Sequence, residues 1–368
     1  MRHDFLYPDK FVRFELFQHY ARALKLLGEF LHCSYQDLAI VDNATTAVNT
    51  VLRSYPFKPG DKIVYHSTIY EACLNTLRFL QERSQVELVK VELNYPLTPA
   101  EVVDRYEQAF IEHKPVMAIF DTVTSMPGVS MPFEQLVKLC RTYSVLSLID
   151  GAHSIGMFPL SLGQLKPDFY TSNLHKWLFV PRGCAVLYIN KLHHHKIHTM
   201  PVSHSYLPDD TKLSIELEQN WVVDRFAFIG TKSFAAMDAI EFTIKFRQNE
   251  CGGEDNIHQY CYRLAKEVGE LVSGKWKTSV LDCNAMVTVE MPYSKAIVEQ
   301  VKPNFRSILE SVSQEMIYKH KTFVPFIIHN DKLYARFSCQ IYNDLNDYKY
   351  SSDLLIRILN RTLNEFKL

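Results

Sequence analysis

Val145-Leu-Ser-Leu-Ile-Asp150-Gly-Ala-His153 and Asp168-Phe-Tyr-Thr-Ser-Asn-Leu-His-Lys176-Trp177 decide how this chain is read. The first is an apolar run of strand length that ends in a carboxylate. The second is another strand-like run, closed by a lysine that precedes Trp177, Leu178 and Phe179. Such a neighbourhood argues for burial, whereas an ordinary lysine is solvated. Asp150 leaves one buried strand, and Lys176 lies between two further runs of strand type, 168–172 and 183–189. Both groups are therefore expected at one mouth of a sheet.

Working outward, residues 116–120 read as a strand ending at Asp121, and 133–143 as a helix leading into the 145–149 strand. Before them, strands at 62–65 and 86–93 alternate with helices at 71–82 and 98–114, the second with Pro99 in its first turn. Strands alternating with helices predict an α/β fold with a mostly parallel central sheet flanked by helices. Ligands of such sheets bind beyond the carboxyl ends of the strands, where Asp121 and Asp150 stand. A short strand at 37–41 runs into Asp42-Asn-Ala-Thr-Thr-Ala-Val-Asn-Thr-Val51, a polar helix start with an apolar continuation. Residues 14–32 read as a helix with its apolar face at Phe14, Phe17, Ala21, Leu24, Leu27 and Leu31. The 191–219 stretch is polar and histidine-rich and reads as a surface connection. A helix at 233–250 then leads to a hinge at Cys251-Gly252-Gly253. Residues 257–368 mix helices with strands at 285–291, 322–329 and 333–338. The expected layout is a 1–13 arm, a 14–250 cofactor-binding domain and a smaller α+β domain over 251–368.

The chain has 368 residues, 47% hydrophobic and 22% charged, which suits a globular protein with two lobes. Its net charge of −1 gives no general attraction to nucleic acid or anionic lipid. Its apolar runs are strand-length, far below the roughly 20 residues of a membrane span. Met1-Arg-His-Asp-Phe-Leu-Tyr-Pro lacks the apolar core and cleavage site of a secretory leader. The 8 cysteines are scattered without a C-x-x-C, so free, mostly buried thiols and a cytoplasmic location are expected.

One cofactor fits the opening pair. A lysine holds pyridoxal phosphate (PLP) as a Schiff base, and an upstream carboxylate keeps its pyridine nitrogen protonated. Desolvation at Lys176 lowers a lysine pKa, as a Schiff-base lysine requires. Each residue also has a plainer reading. Asp150 fits a helix cap as well as a cofactor partner. His153 fits a hydrogen-bonded core histidine or a contact to the cofactor's phenolic oxygen. Asn43-Ala-Thr45-Thr46 fits ordinary N-capping or a phosphate cradle at a helix start. Tyr70 fits core packing or stacking on a ring. Arg336, in Tyr334-Ala-Arg336-Phe-Ser338, fits a surface ion pair or a bidentate grip on a substrate carboxylate. His193-His194-His195-Lys-Ile-His198 has sparse carboxylates nearby and no H-E-x-x-H, so a solvated face is expected and no metal site. Neither GxGxxG nor GxxxxGK[ST] occurs.

The chain resembles the class V aminotransferase-like PLP enzymes, in the branch that holds isopenicillin N epimerase and the hercynylcysteine sulfoxide lyases. The resemblance rests on Asn43-Ala-Thr-Thr-Ala-Val-Asn-Thr-Val51, Asp121-Thr-Val-Thr-Ser125, Asp150-Gly-Ala-His153 and Asn173-Leu-His-Lys-Trp177 with Pro181-Arg-Gly183. Gly230-Thr231 and Arg336-Phe-Ser-Cys-Gln-Ile-Tyr-Asn343 complete it, in the family's order. It implies fold type I of the PLP-dependent transferases and a homodimer with sites at the subunit interface. By position, Lys176 would carry the Schiff base, Asp150 would pair with the ring nitrogen and His153 would lie near the phenolic oxygen. Tyr70 or His66 would cover the ring. Thr45, Thr46 and His175 would hold the phosphate, with Thr231 arriving from the other subunit, and Arg336 would bind the substrate carboxylate. An amino-acid substrate follows, with β-elimination from a cysteine derivative, such as a hercynylcysteine sulfoxide, as the expected reaction. Epimerisation, transamination and cysteine desulfuration are the alternatives, the last lacking a placeable thiol nucleophile. The family's upstream Asn-His-Gly-Ser-Phe-Gly has no counterpart in this chain. Thr122 replaces a family histidine, and Gly230-Thr-Lys-Ser233 replaces Gly-Thr-Arg-Asp. These departures keep a catalytically idle PLP-fold protein as the alternative of another class.

Overall fold

A computed structural model describes residues 6–208, 211, 214 and 218–367. It divides into two compact units. The larger holds the described residues up to Glu92, with Pro99–Val123 and Met131–Glu254. The smaller holds Leu93–Thr98, Thr124–Ser130 and the described residues from Asp255 onward.

The larger unit is built on seven strands: β1 (Leu38–Val41), β2 (Lys62–His66), β3 (Glu87–Val91), β4 (Met117–Asp121), β5 (Leu146–Asp150), β6 (Phe169–Asn173) and β7 (Ala185–Ile189). Their order is β1-β7-β6-β5-β4-β2-β3. The pairs β2–β3, β2–β4, β4–β5 and β5–β6 are parallel, while β6–β7 and β1–β7 are antiparallel. The sheet is thus mixed and mostly parallel. Helices Glu71–Ser84, Pro99–His113 and Phe133–Thr142 make the crossovers between β2, β3, β4 and β5. Strands β4, β6 and β7 are buried along their whole length, as sequences without alternation require when both sheet faces are covered. The parallel register places Asp121 opposite Asp150 at the carboxyl ends of β4 and β5.

Two expectations need correction. The N-terminal helix, Leu16–Phe30, buries Leu16, Tyr20, Ala23, Leu24 and Leu27, while Phe14 and Phe17 remain 69% and 47% exposed. Leu24, Leu27 and Leu31 of the expected face are buried, while Phe14 falls within a π-helical turn over Phe11–Glu15 that precedes the helix. The histidine-rich run is also no solvated face. His193 and His194 are buried in a 3-10 helix, Lys191–Lys196. His193 Nε2 lies 2.7 Å from Asp168 Oδ1, and His194 Nε2 lies 3.0 Å from the Ile189 carbonyl oxygen. Among the described residues, no group of three His, Cys, Asp or Glu could hold a metal ion, and no helix is long and apolar enough to cross a membrane.

The smaller unit carries an antiparallel sheet of β8 (Val280–Cys283), β9 (Met286–Glu290), β10 (Phe326–His329) and β11 (Lys332–Ser338), in the order β10-β11-β9-β8. Val287, Val289 and Phe337 from the sheet share one apolar core with Val268, Val312, Leu355 and Leu359 from helices. Arg336 sits on β11 between apolar neighbours, opposite Thr288 of β9.

Candidate active site

The carboxyl ends of β2, β4 and β5 gather His66, Asp121 and Asp150. All three side chains are buried. Asp150 Oδ1 accepts from the Ala152 backbone N–H at 3.0 Å, and Oδ2 accepts from the Cys73 thiol at 3.3 Å. Burial, and then the neighbouring Asp121 carboxylate, push the Asp150 carboxyl up to about 6. Among the described residues no cation hydrogen-bonds this carboxylate, and a protonated pyridine nitrogen would supply one. His66 Nε2 lies 3.3 Å from Asp121 Oδ1, and its Nδ1 lies 3.0 Å from Thr68 Oγ1.

Lys176 and His153 come together. Lys176 Nζ lies 3.0 Å from His153 Nε2, and the Trp177 indole N–H donates to His153 Nδ1 at 3.2 Å. The lysine belongs to one helical turn, Leu174–Trp177, entered directly from β6. When protonated, Lys176 would counter the upward shift of Asp150, so the two groups share one electrostatic environment.

The phosphate residues divide into two kinds. Asn43 caps the Ala44–Ser54 helix, with its Oδ1 accepting from the Thr46 backbone N–H at 2.8 Å and from Thr46 Oγ1 at 3.1 Å. The plain capping reading of this segment is therefore realised. The same helix start also faces a cavity of about 720 Å³ lined by Thr45, Thr46, Asn49, Arg53 and His198. A helix N-terminus with hydroxyls at an open cavity suits an anion. Asn173, at the end of β6, accepts from the Ala44 N–H at 2.9 Å and so ties this helix to the lysine turn. The His175 ring bonds through Nδ1 to the Cys184 carbonyl oxygen at 2.8 Å, and burial lowers its pKa. A phosphate beside it would oppose that shift. Thr231 is exposed, and its neighbour Lys232 pairs with Asp42 at 2.8 Å. Tyr70 is 49% exposed at the start of the Glu71–Ser84 helix, unlike His66, which has no exposed surface.

In the smaller unit, Arg336 is buried. It donates through Nη1 to the Ser125 carbonyl oxygen at 2.5 Å, and its Nε has no hydrogen-bond partner. Burial lowers its pKa to about 10. Its stem crosses Gly128, where a Cβ would stand 2.9 Å from Arg336 Cδ, so a side chain there would displace the arginine.

Sequence reasoning left three participants unassigned. Cys73 lies on a crossover helix, Trp177 reads only as apolar, and Arg247 is a lone arginine in the Ala235–Asn249 helix. No spacing rule points to them: Cys73 bonds Asp150 77 residues away, Trp177 bonds His153 24 away, and Arg247 bonds Gly156 91 away as well as Glu254 7 away.

The donors fit PLP: a buried acid whose carboxyl is raised by burial, a lysine with a histidine at its nitrogen, and an anion-suited helix start. Comparison with known proteins agrees. Residues 12–281 match the family described as aminotransferase class-V. Hercynylcysteine sulfoxide lyase of Schizosaccharomyces pombe is 30% identical over 90% of this chain and 80% of its own length. An L-cysteine desulfhydrase-like protein of Epichloe uncinata is 29% identical over 95% of this chain and 87% of its own. Among solved structures, a C-DES mutant with glycine covalently linked to its PLP cofactor superposes with a TM-score of 0.73. That match has 16% identity and covers 94% of this chain and 86% of the other. The chain belongs to the class V aminotransferase family, in the branch of the hercynylcysteine sulfoxide lyases and isopenicillin N epimerase, and is a PLP-dependent enzyme of fold type I.

Proposed function

We propose that this enzyme is a carbon–sulfur lyase that expels a sulfur group from the β-carbon of a cysteine-derived amino acid, such as a hercynylcysteine sulfoxide. Two relatives named for sulfur chemistry on cysteine compounds support the substrate class. The observation that carries the reaction type is the state of the thiols. Among the described cysteines, Cys73, Cys140, Cys184, Cys261 and Cys339 are buried, Cys33 is pushed up to about 12 by burial, and the partly exposed Cys251 thiol is raised as well, first by burial. A desulfurase needs a thiolate that attacks sulfur, and thiols so held are poor nucleophiles. A β-elimination needs none.

Bound PLP supplies an electron sink for the pair left when a bond to the substrate α-carbon breaks. The chain's own groups do the rest. Asp150 would hold a proton on the ring nitrogen. Lys176 would anchor the cofactor, and its amine would take the substrate α-proton. His153, at the lysine nitrogen, would serve the phenolic oxygen, and Tyr70 would cover the ring. Thr45, Thr46 and His175 would hold the phosphate. Arg336 receives the substrate carboxylate, for which its buried guanidinium keeps Nε open. The working form is a cytoplasmic homodimer in which Thr231 of one subunit serves the phosphate of the other.

The test is a product assay with L-cysteine, its S-conjugates and their sulfoxides. Equal amounts of pyruvate and ammonia are expected. Alanine with an enzyme persulfide would make the protein a desulfurase, and loss of optical rotation without pyruvate would make it an epimerase. In Lys176→Ala, the borohydride-reducible adduct should vanish while circular dichroism stays unchanged. An adduct that persists would show that another lysine holds the cofactor.

A further inference from the structure

Trp177 follows Lys176 directly and is 4% exposed. Its indole N–H points at His153 Nδ1 over 3.2 Å, while Lys176 Nζ lies 3.0 Å from the opposite ring nitrogen, Nε2. An indole nitrogen can only donate. Nδ1 of His153 therefore accepts and bears no proton. A neutral imidazole in that state carries its one proton on Nε2, the atom facing the lysine. The Nε2–H then donates to Lys176 Nζ, which receives the bond with its lone pair. An ammonium at that position would set one N–H against another, so the amine is the form that satisfies both contacts.

Trp177 is itself clamped. Arg247, fully buried, donates through Nη1 to the Trp177 carbonyl oxygen at 2.8 Å and through Nη2 to the Gly156 carbonyl oxygen at 3.0 Å. Glu254 accepts from Arg247 Nε and Nη2 at 2.6 and 2.5 Å, which fixes the guanidinium plane. Gly156 has φ +84°, and a Cβ there would stand 2.5 Å from the Trp177 carbonyl oxygen. The glycine thus lets the two carbonyls share one arginine.

We propose that Trp177 is a positioning residue that fixes the tautomer of His153 and aims a single proton at the nitrogen of Lys176. The proposal deepens the function given above and rests on Lys176 as the cofactor lysine. Its structural content concerns only the three side chains.

The ring can be read directly by nitrogen-15 NMR of the full-length protein labelled at histidine, with the His153 signals identified by their loss in His153→Gln. Near neutral pH, His153 should show a protonated Nε2 and an unprotonated Nδ1. A proton on Nδ1, or on both nitrogens, overturns the proposal. Trp177→Phe keeps an aromatic ring and removes the donor. It should shift the tautomer ratio toward Nδ1–H about fivefold, the factor that one neutral hydrogen bond confers. An unchanged ratio overturns the proposal. If Trp177→Phe does not fold, the wild-type spectrum still decides. Peptide mapping after borohydride separates the two levels of inference. Absence of an adduct on Lys176 would remove the cofactor reading and leave the tautomer assignment to stand or fall on the spectrum.

Discussion

The site's chemistry is set residue by residue, and Asp150 shows how. Its carboxyl ionises near 3.8 when free and about 6 in the fold, because burial and Asp121 disfavour the charge. A raised folded-state value means that the folded chain binds the extra proton between those two pH values. Stability is therefore lost as pH rises from about 4 through about 6 and stays lower above. Asparagine at this position carries no such penalty. In cofactor-free protein, Asp150→Asn should add on the order of 2–3 kcal/mol above pH 6 and nothing below pH 4. Urea titrations at the two pH values measure this, and equal effects at both would refute the assigned cause. The same variant should lose PLP faster, since the acid's cost in the empty site is what the pyridine nitrogen relieves. The sequence exposed Asp150, His153 and Lys176 because each closes or follows an apolar run. It left Trp177 and Arg247 unassigned because the His153 ring and the Trp177 and Gly156 carbonyls that they bond lie 24 to 91 residues away in the chain.

At the scale of elements, the proposed phosphate end of the site depends on how one helix begins. Asn43 satisfies the Thr46 N–H and hydroxyl, and Asn173 satisfies the Ala44 N–H. Removing the cap in Asn43→Ala should destabilise the protein by about 1 kcal/mol. It should also weaken PLP retention, because the helix start would no longer hold its donors in place. Thermal unfolding with and without PLP separates the two effects. An equal loss in both forms would show that the cap serves the helix alone. This segment was legible in the sequence as a polar helix start. Which of its two readings held was not, because capping and anion binding use the same residue types. The N-terminal helix was legible too, with Leu24, Leu27 and Leu31 of its buried face, but Phe14 was not, because it falls within the π-turn at Phe11–Glu15.

For the whole molecule, the two units carry different chemistry. The larger holds the groups suited to the cofactor, and the smaller holds Arg336. Replacing that arginine tests the division. Arg336→Ala should raise KM for the amino acid about tenfold to a hundredfold, the range of one charged hydrogen bond, and leave PLP affinity unchanged. An unaltered KM would remove the residue from substrate binding. The smaller unit also takes in Leu93–Thr98 and Thr124–Ser130, two loops that no linear boundary assigns to it. One of them supplies the Ser125 carbonyl that holds the guanidinium.

The sequence by itself determined the α/β class, the strand ends that carry Asp121 and Asp150, and the family, and it singled out Lys176 as the candidate cofactor lysine. These follow from local patterns: apolar runs of strand length, helix starts, and motifs in a fixed order. The tertiary structure alone decided which groups touch. It placed Cys73 and Asp121 against Asp150, turned the Trp177 indole onto His153, and put Arg247 beneath the lysine turn. Hydrogen bonds and burial act over a few ångströms, and residues that close in space are separated by long stretches of chain, so no local pattern records them.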